Sequence, residues 1–117
     1  MIRNKMDGDI KVNVNMKGGD GTVTVTNLLK QDQNEFYGKG RLFGEIELPV
    51  GASIGKHTHE GEMECFYVIA GKGAFDDNGV VKEVSAGDVC YTGSGSSHAI
   101  RNTGDETLRL IALILYQ

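Results

Sequence analysis

The sequence predicts an all-β fold made of short strands joined by tight turns. Apolar residues alternate with polar ones in short runs, and the i, i+3, i+4 spacing of an amphipathic helix is almost absent. Turn residues, including many of the 17 glycines, separate these runs. About nine or ten strands of this kind are typical of a sandwich or a barrel built from hairpins.

The N-terminal part of the chain predicts three strands. Apolar and polar residues alternate over 10–16, and the glycine-rich turn 18–21 follows, because glycine tolerates positive φ. A second strand is predicted over 22–28 and a third over 41–48. The polar stretch between them interrupts the pattern and allows a short helical turn over 29–33.

The C-terminal part predicts further short strands, each bounded by turn residues. A strand rich in aromatic and β-branched residues ends at Gly71, and Asp76-Asp77-Asn78-Gly79 is typical of a hairpin turn between two short strands. A loop is predicted over 93–97. The strands predicted in this part are 64–70, 80–84, 89–92 and 108–116.

Length and composition indicate a single globular domain over 1–117, with an N-terminal strand region (1–35) and a barrel core (36–117). The net charge is −4 and the cations are scattered, which argues against nucleic acid as a partner. No signal sequence or membrane span is apparent, so a cytoplasmic location is expected. Cys65 and Cys90 fit no metal-binding spacing and are interpreted as buried thiols, with Cys65 facing away from its neighbour Glu64.

The chemistry of the sequence is concentrated in two patches. The first reads G-x5-H-x-H-x4-E-x6-G from Gly51 to Gly71 and contains His57, His59 and Glu64. Residues i and i+2 of a strand point to the same face, so both histidines can reach one ion inside a barrel. Glu64 follows a turn and can bring a carboxylate oxygen to the same ion.

The second patch supplies a fourth ligand. It reads G-x5-G-x-G-x2-H-x3-N from Gly87 to Asn102 and contains His98, the remaining histidine of the chain. A hydrogen-bond network inside an empty barrel is the alternative, but it would leave a buried Glu64 that is costly without a cation, a proton or a partner.

The two patches resemble the two signature motifs of the cupin superfamily. The resemblance implies a double-stranded β-helix, or jelly-roll, barrel in which His57, His59, Glu64 and His98 bind a metal in the barrel mouth. The sequence differs from the family pattern at Gly93, where the family usually has proline. Because proline would fix φ, this difference is expected to loosen the loop before His98 without removing a ligand.

Three imidazoles and one carboxylate suit one divalent ion of manganese, iron, nickel, cobalt or zinc. An octahedral ion would keep two positions for water, dioxygen or a bidentate substrate. The site would remain positive and is expected to favour a small anionic ligand. Arg41 or Lys39 could assist, although ordinary surface cations are the more common case.

Two classes of function remain open: a metal-dependent enzyme acting on a small anionic or oxygen-rich molecule, and a metal-containing binding protein without turnover. The resemblance implies oxalate-like acids, sugars or oxygenase substrates, with oxygenase, isomerase or decarboxylase-like chemistry, and the fold does not choose among these. Family decarboxylases typically have two domains and an acidic lid residue, which this sequence lacks. The catalytic residue is unassigned, with Tyr67, Tyr91 and Glu62 as conceivable acids or bases.

The remaining polar residues are given structural roles. Glu60 and Glu62 are interpreted as solvated turn residues, and the 93–97 loop as a barrel rim, since it lacks the lysine and the helix of a phosphate-binding loop. Asn102 is expected to cap the turn at Thr103 and Gly104. A homodimer is predicted, because the alternating strand 10–16 could hide an exposed edge by pairing with a neighbouring subunit.

Overall fold

Ten β-strands and three short 3-10 turns make up the structure, a computed structural model that describes residues 1–117. The 3-10 turns are Lys5–Asp7, Met16–Gly18 and Gln31–Gln33. The strands are β1 (Asp9–Val14), β2 (Thr22–Asn27), β3 (Gly40–Leu48), β4 (Ser53–Thr58), β5 (Glu62–Ala70), β6 (Lys72–Asp77), β7 (Val80–Ser85), β8 (Val89–Thr92), β9 (Ser97–Asn102) and β10 (Leu108–Tyr116). None of the helical segments has the length and hydropathy of a membrane span.

The strands form two antiparallel sheets. One has six strands in the order β1-β2-β3-β10-β5-β8, and the other has four in the order β4-β9-β6-β7. The sheets face each other, as expected for strands that each carry one apolar face. The predicted all-β fold class is therefore confirmed.

The core lies between the two sheets and is built by alternation. Along β10, Leu108, Leu110, Ala112 and Ile114 are buried, while the residues between them are partly exposed on the outer face. One apolar cluster of 13 buried residues joins both sheets. Its members include Phe66 from the six-stranded sheet and Phe75 and Ile100 from the four-stranded sheet.

Several element boundaries differ from the predictions. The first strand ends at Val14 and not at residue 16, because Asn15 adopts a left-handed conformation with φ of 51° and residues 16–18 form a 3-10 turn. β5 begins at Glu62, two residues earlier than predicted. β9 begins at Ser97, within the predicted 93–97 loop.

Strand β1 has its polar residues on the inner face of the sheet, which is the reverse of an ordinary surface strand. Lys11 and Asn13 lie opposite Val25 and Val23, and Val23 is fully buried, so the polar residues of β1 share the inner face of the sheet. The apolar residues of β1 therefore lie on the outer face. They are largely solvent-exposed: Ile10, Val12 and Val14.

Two glycines allow β4 to pack closely on the 3-10 turn at 16–18. A Cβ atom at Gly19 would overlap the carbonyl oxygen of Ser53, and one at Gly55 would overlap the carbonyl oxygen of Lys17. Backbone therefore lies against backbone at this contact, which no larger residue permits. The contact fixes the strand that carries His57.

Candidate metal centre

The two sheets bring the four predicted ligand residues together between them. His57 on β4 lies directly opposite His98 on the neighbouring strand β9, so both rings point to the same face. His59 follows the end of β4, and Glu64 reaches in from β5 of the other sheet. His59, Glu64 and His98 are buried, and His57 is half-buried.

The four side chains point one donor atom each at a common centre. The His98 Nε2 atom lies 3.0 Å from Nε2 of His59 and 3.1 Å from Nε2 of His57. The Glu64 Oε1 atom lies 3.0 Å from Nε2 of His59 and 3.0 Å from Nε2 of His98. All four donor atoms lie within 4.8 Å of one another.

The opposite nitrogen of each ring has its own hydrogen-bond partner. The Nδ1 atom of His57 donates to the carbonyl oxygen of Gly55 at 2.8 Å, and that of His59 donates to the Glu62 carboxylate at 2.6 Å. The Nδ1 atom of His98 lies 2.9 Å from the Thr92 hydroxyl, which is buried. A carbonyl or an ionised carboxylate only accepts, so in His57 and His59 the Nδ1 atom carries the proton.

When the rings are neutral, this tautomer leaves the Nε2 atoms of His57 and His59 as acceptors aimed at the centre of the cluster. Nε2 of His98 lies at hydrogen-bond distance from three possible acceptors, Nε2 of His57, Nε2 of His59 and Oε1 of Glu64, and carries at most one proton to donate. Every buried side-chain nitrogen and oxygen has a hydrogen-bond partner, so an ion is favoured by the type and convergence of the donor atoms and not by an unsatisfied group. The donor set, three imidazole nitrogens and one carboxylate oxygen, suits a single metal ion.

Burial and the neighbouring charges shift the pKa values within the cluster. Burial raises the pKa of Glu64, but hydrogen bonds with His59 and His98 outweigh it and lower that pKa from its ordinary value. The hydrogen bond that protonated His59 donates to Glu64 raises the pKa of His59, with support from Glu62, whereas burial lowers the pKa of His57. Glu64 is therefore an anion beside the imidazoles, as a metal ligand must be.

Aromatic side chains hold His98 from behind. Its ring stacks on Phe66, with ring centres 5.2 Å apart and planes 15° apart, and it meets the edge of Phe75 at 5.8 Å. His98 is only 1% exposed. These contacts leave His98 little freedom, so its Nε2 atom is preorganised towards the centre.

The cluster opens on one side into a cavity of about 1120 Å³. His57, His59 and Glu64 line this cavity, while His98 lies behind them. Strand β1 forms part of the wall of this cavity through polar residues such as Lys11 and Asn13 and through Val12 and Val14. A small molecule in the cavity can thus approach the cluster from the side that the protein leaves open.

The loop before His98 is tied to the turn that carries His59. The amide of His59 donates to the Ser96 carbonyl at 3.1 Å, and the amide of Gly95 donates to the His59 carbonyl at 2.6 Å. The Gly61 amide also donates to the Ser94 hydroxyl at 2.9 Å. These bonds restrain the loop at the point where Gly93 replaces the usual proline.

The interpretation of Glu62 as a solvated turn residue is wrong. Glu62 lies on β5 two residues before Glu64, so both point to the inner face. Its carboxylate holds His59 and also accepts two hydrogen bonds from Arg41, at 2.8 and 2.7 Å. Arg41, with support from His59, lowers the pKa of Glu62 to about 2. Extending the predicted strand by two residues would have revealed this alignment.

The other candidates are distributed around the molecule. Arg41 lines the cavity, whereas Lys39 does not. Tyr67 and Tyr91 are exposed on the outer face of the six-stranded sheet, away from the cluster, and are excluded as acids or bases there. Asn102 caps the following turn as predicted, since its side-chain oxygen accepts the Gly104 amide at 2.9 Å.

The two cysteines are free and lie on opposite faces of the sheet. Cys90 is buried in the core, while Cys65 is half-buried on the outer face and turned away from Glu64 as predicted. Burial raises the pKa of Cys90 to about 11. Cys90 is therefore a neutral core thiol, as expected.

Comparison with known proteins places these observations in one family. The family model of the cupin domain matches residues 44–114. The chain is 46% identical over 101 residues to a Thermotoga maritima protein named an oxalate-binding protein, an alignment that covers 86% of this chain and 82% of the relative.

Solved structures give the same fold. A crystal structure of a predicted oxalate decarboxylase from Thermotoga maritima superposes with a TM-score of 0.93 and 41% identity over the whole of both chains. A polyketide cyclase from Streptomyces resistomycificus, 22% identical, superposes with a TM-score of 0.77 over 99% of this chain and 79% of its own. The chain therefore belongs to the cupin family, and its two sheets form the double-stranded β-helix of that family.

Proposed function

We propose that this protein binds one divalent transition-metal ion through His57, His59, Glu64 and His98 and uses it to bind a small carboxylate anion of the oxalate class. The observation that carries the proposal is the convergence of three Nε2 atoms and one carboxylate oxygen within 4.8 Å. The protonated Nδ1 atoms of His57 and His59 support it, because they leave the Nε2 lone pairs free for an ion.

The protein's own residues would orient and isolate the ion. Gly55, Glu62 and Thr92 hold the three rings from behind, and partners of this kind commonly contribute 10–100-fold to metal affinity. A bound ion would act as a Lewis acid towards oxygen ligands. Manganese, iron, nickel, cobalt and zinc all fit the donor set.

Charge supports an anionic ligand. A divalent ion held by one carboxylate keeps a net positive charge, and the side that faces the cavity is formed by His57, His59 and Glu64. A carboxylate that enters the cavity would balance this charge. The relative named an oxalate-binding protein supports the same class of ligand.

The test is metal content followed by oxalate titration. Protein purified without a histidine tag should contain about one equivalent of metal per chain after reloading, and His59→Ala and Glu64→Gln should lose it. Calorimetry should detect oxalate binding to the metal-loaded protein and none to the metal-free protein. A wild-type protein that takes up no metal after reloading, or that binds no oxalate when loaded, would contradict the proposal.

Turnover of the bound acid is a second candidate, favoured by Glu60. Glu60 directly follows His59, and its exposed side chain lines the same cavity. It forms no ion pair, so its carboxylate is available to a bound ligand. Formate release from oxalate by the metal-loaded protein, abolished in Glu60→Gln, would support an enzyme. Oxalate binding without formate release would favour a binding protein without turnover.

We also propose a homodimer. The outer face of the six-stranded sheet exposes large apolar side chains on adjacent strands, among them Tyr67, Val89 and Tyr91, and the apolar row of β1 lies on the same face. Monomeric proteins seldom expose contiguous apolar patches of more than a few hundred Å². Light scattering at micromolar concentration should give twice the 12.6 kDa mass, and a monomer would contradict the proposal.

A further inference from the structure

A β-bulge places Arg41 at the wall of the cavity. Between Ile114 and Leu115 of β10, the partner on β3 passes from Leu42 to Gly40, so Arg41 has no residue opposite it. A bulge of this kind interrupts the alternation of side chains, so a residue at the bulge can point to a different face from the one that alternation predicts. Arg41 is consequently the only arginine that lines the cavity containing His57, His59 and Glu64.

Glu62 fixes one edge of the Arg41 guanidinium and leaves another edge free. The Nε and Nη2 atoms of Arg41 donate to Oε1 and Oε2 of Glu62 at 2.8 and 2.7 Å. A guanidinium has five N–H donors, and these two bonds use only two of them. The edge formed by Nη1 and the second N–H of Nη2 can therefore donate two hydrogen bonds to a ligand carboxylate while Glu62 keeps the guanidinium plane in place.

The same carboxylate also positions the metal-ligand ring. Oε2 of Glu62 accepts from Nδ1 of His59 at 2.6 Å and from Nη2 of Arg41 at 2.7 Å. Glu62 is thus a shared support between the proposed metal ligand and the cavity arginine. Its side chain is only 12% exposed, so bulk water competes weakly for these bonds.

We propose that Arg41 is a second recognition point for the anion, binding the part of a small dicarboxylate that does not contact the metal, and that Glu62 positions both Arg41 and His59. This inference rests on the proposed function of the metal centre. It adds a preference for dianionic ligands with two carboxylates, because one end would contact the ion and the other the free edge of the guanidinium.

The test compares oxalate binding by metal-loaded wild type, Arg41→Gln, Arg41→Lys and a matched control, Arg101→Gln. Arg101 also pairs with a carboxylate, that of Asp20, but it lies on β9 outside this cavity. Removing Arg41 should weaken oxalate binding about 10- to 100-fold, and lysine should recover part of the loss, since charged hydrogen bonds are the stronger kind. The control variant should stay within about twofold of wild type, since distant charges are screened.

Metal content and azide binding separate the roles of the two residues. Azide needs only an open metal position, so Arg41→Gln should keep its metal and bind azide within about threefold of wild type. Glu62→Gln should weaken oxalate binding and also raise the dissociation constant of the metal by about 10- to 100-fold.

The outcomes distinguish the two proposals. If metal-loaded wild type binds oxalate and Arg41→Gln binds it equally well, the inference about Arg41 is wrong and the metal centre stands. If metal-loaded wild type binds no oxalate, the proposed function itself is wrong. If Glu62→Gln keeps wild-type affinity for the metal, Glu62 does not position His59.

Discussion

Metal-dependent thermal stability provides a quantitative test of the ligand assignment through Glu64. An ion that binds only the folded state stabilises it by about 2.7 kcal/mol at a free concentration of 100 times its dissociation constant. For 117 residues, the entropy of unfolding is about 0.25 kcal/mol per degree. The melting temperature of the wild-type protein should therefore rise by about 11 °C at this metal concentration.

Glu64→Gln should abolish most of that rise. Glu64 is 5% exposed and is the only anion among the four donors, so its neutral replacement should weaken metal binding at least 100-fold. At the same free metal concentration the variant is then at most half saturated, which corresponds to about 0.4 kcal/mol and a rise of about 2 °C.

The assay is differential scanning calorimetry with and without Mn²⁺, at a concentration set from the wild-type dissociation constant. Glu83→Gln is the matched control, because Glu83 is exposed on β7 of the other sheet. A rise of about 11 °C in Glu64→Gln would refute the assignment of Glu64 as a ligand. A rise in the control variant that differs from wild type would mean that Mn²⁺ acts elsewhere.

Three further predictions concern the framework that positions the site. Gly55→Ala should lower the free energy of unfolding by about 1–3 kcal/mol in urea denaturation and weaken metal binding, because the added Cβ overlaps the backbone carbonyl of Lys17. Gly104→Ala is the control and should change neither quantity, because its Cβ would lie at an ordinary distance of 3.4 Å from the Cβ of Lys72. Asn102→Ala should cost about 2–4 kcal/mol in the same assay, since the buried amide loses two hydrogen bonds to backbone carbonyls and one from a backbone amide. Glu35, whose pKa the Arg3 guanidinium lowers to about 2, should stabilise the fold above pH 4.5, and that stabilisation should disappear as the pH falls from 4.5 to 2. Glu35→Gln should flatten the pH dependence of the melting temperature in this range, and an unchanged profile would contradict the role of the ion pair.

The sequence predicts strands well where one face is continuously apolar. Strands β2, β3, β7, β8 and β10 begin and end within one residue of the predicted ranges. In β2, β3, β8 and β10 alternate residues pack into the core, whereas β7 is mostly exposed and is delimited by the turn residues on either side of it. Strands β4 and β9 were not delimited by this pattern. Their inward positions hold His57 and His98, so the residues that form the site interrupt the apolar alternation that reveals a strand.

The ligand cluster itself was predictable from spacing, because i, i+2 histidines of an extended segment share a face and the cluster needs only one partner from each of two further strands. The groups that hydrogen-bond to the Nδ1 atoms of the three rings could not be predicted from the sequence. The Gly55 partner is a backbone carbonyl, which has no sequence signature, and Thr92 is an ordinary strand residue until its register places it beside His98.

The position of Arg41 in the cavity could not be predicted from the alternation of residues along β3, and the reason is physical. Strict alternation along β3 would put Arg41 on the outer face with Phe43, because the residue between them, Leu42, packs against the core. The bulge at Ile114 and Leu115 breaks that alternation, and β3 and β5 are separated by β10, so nothing local brings Arg41 to Glu62. An ion pair across an intervening strand depends on the register of three strands at once. Such a pair is established only when the sheet is assembled, and a register slip of one residue on β3 would remove the cavity arginine while leaving all four proposed ligands in place.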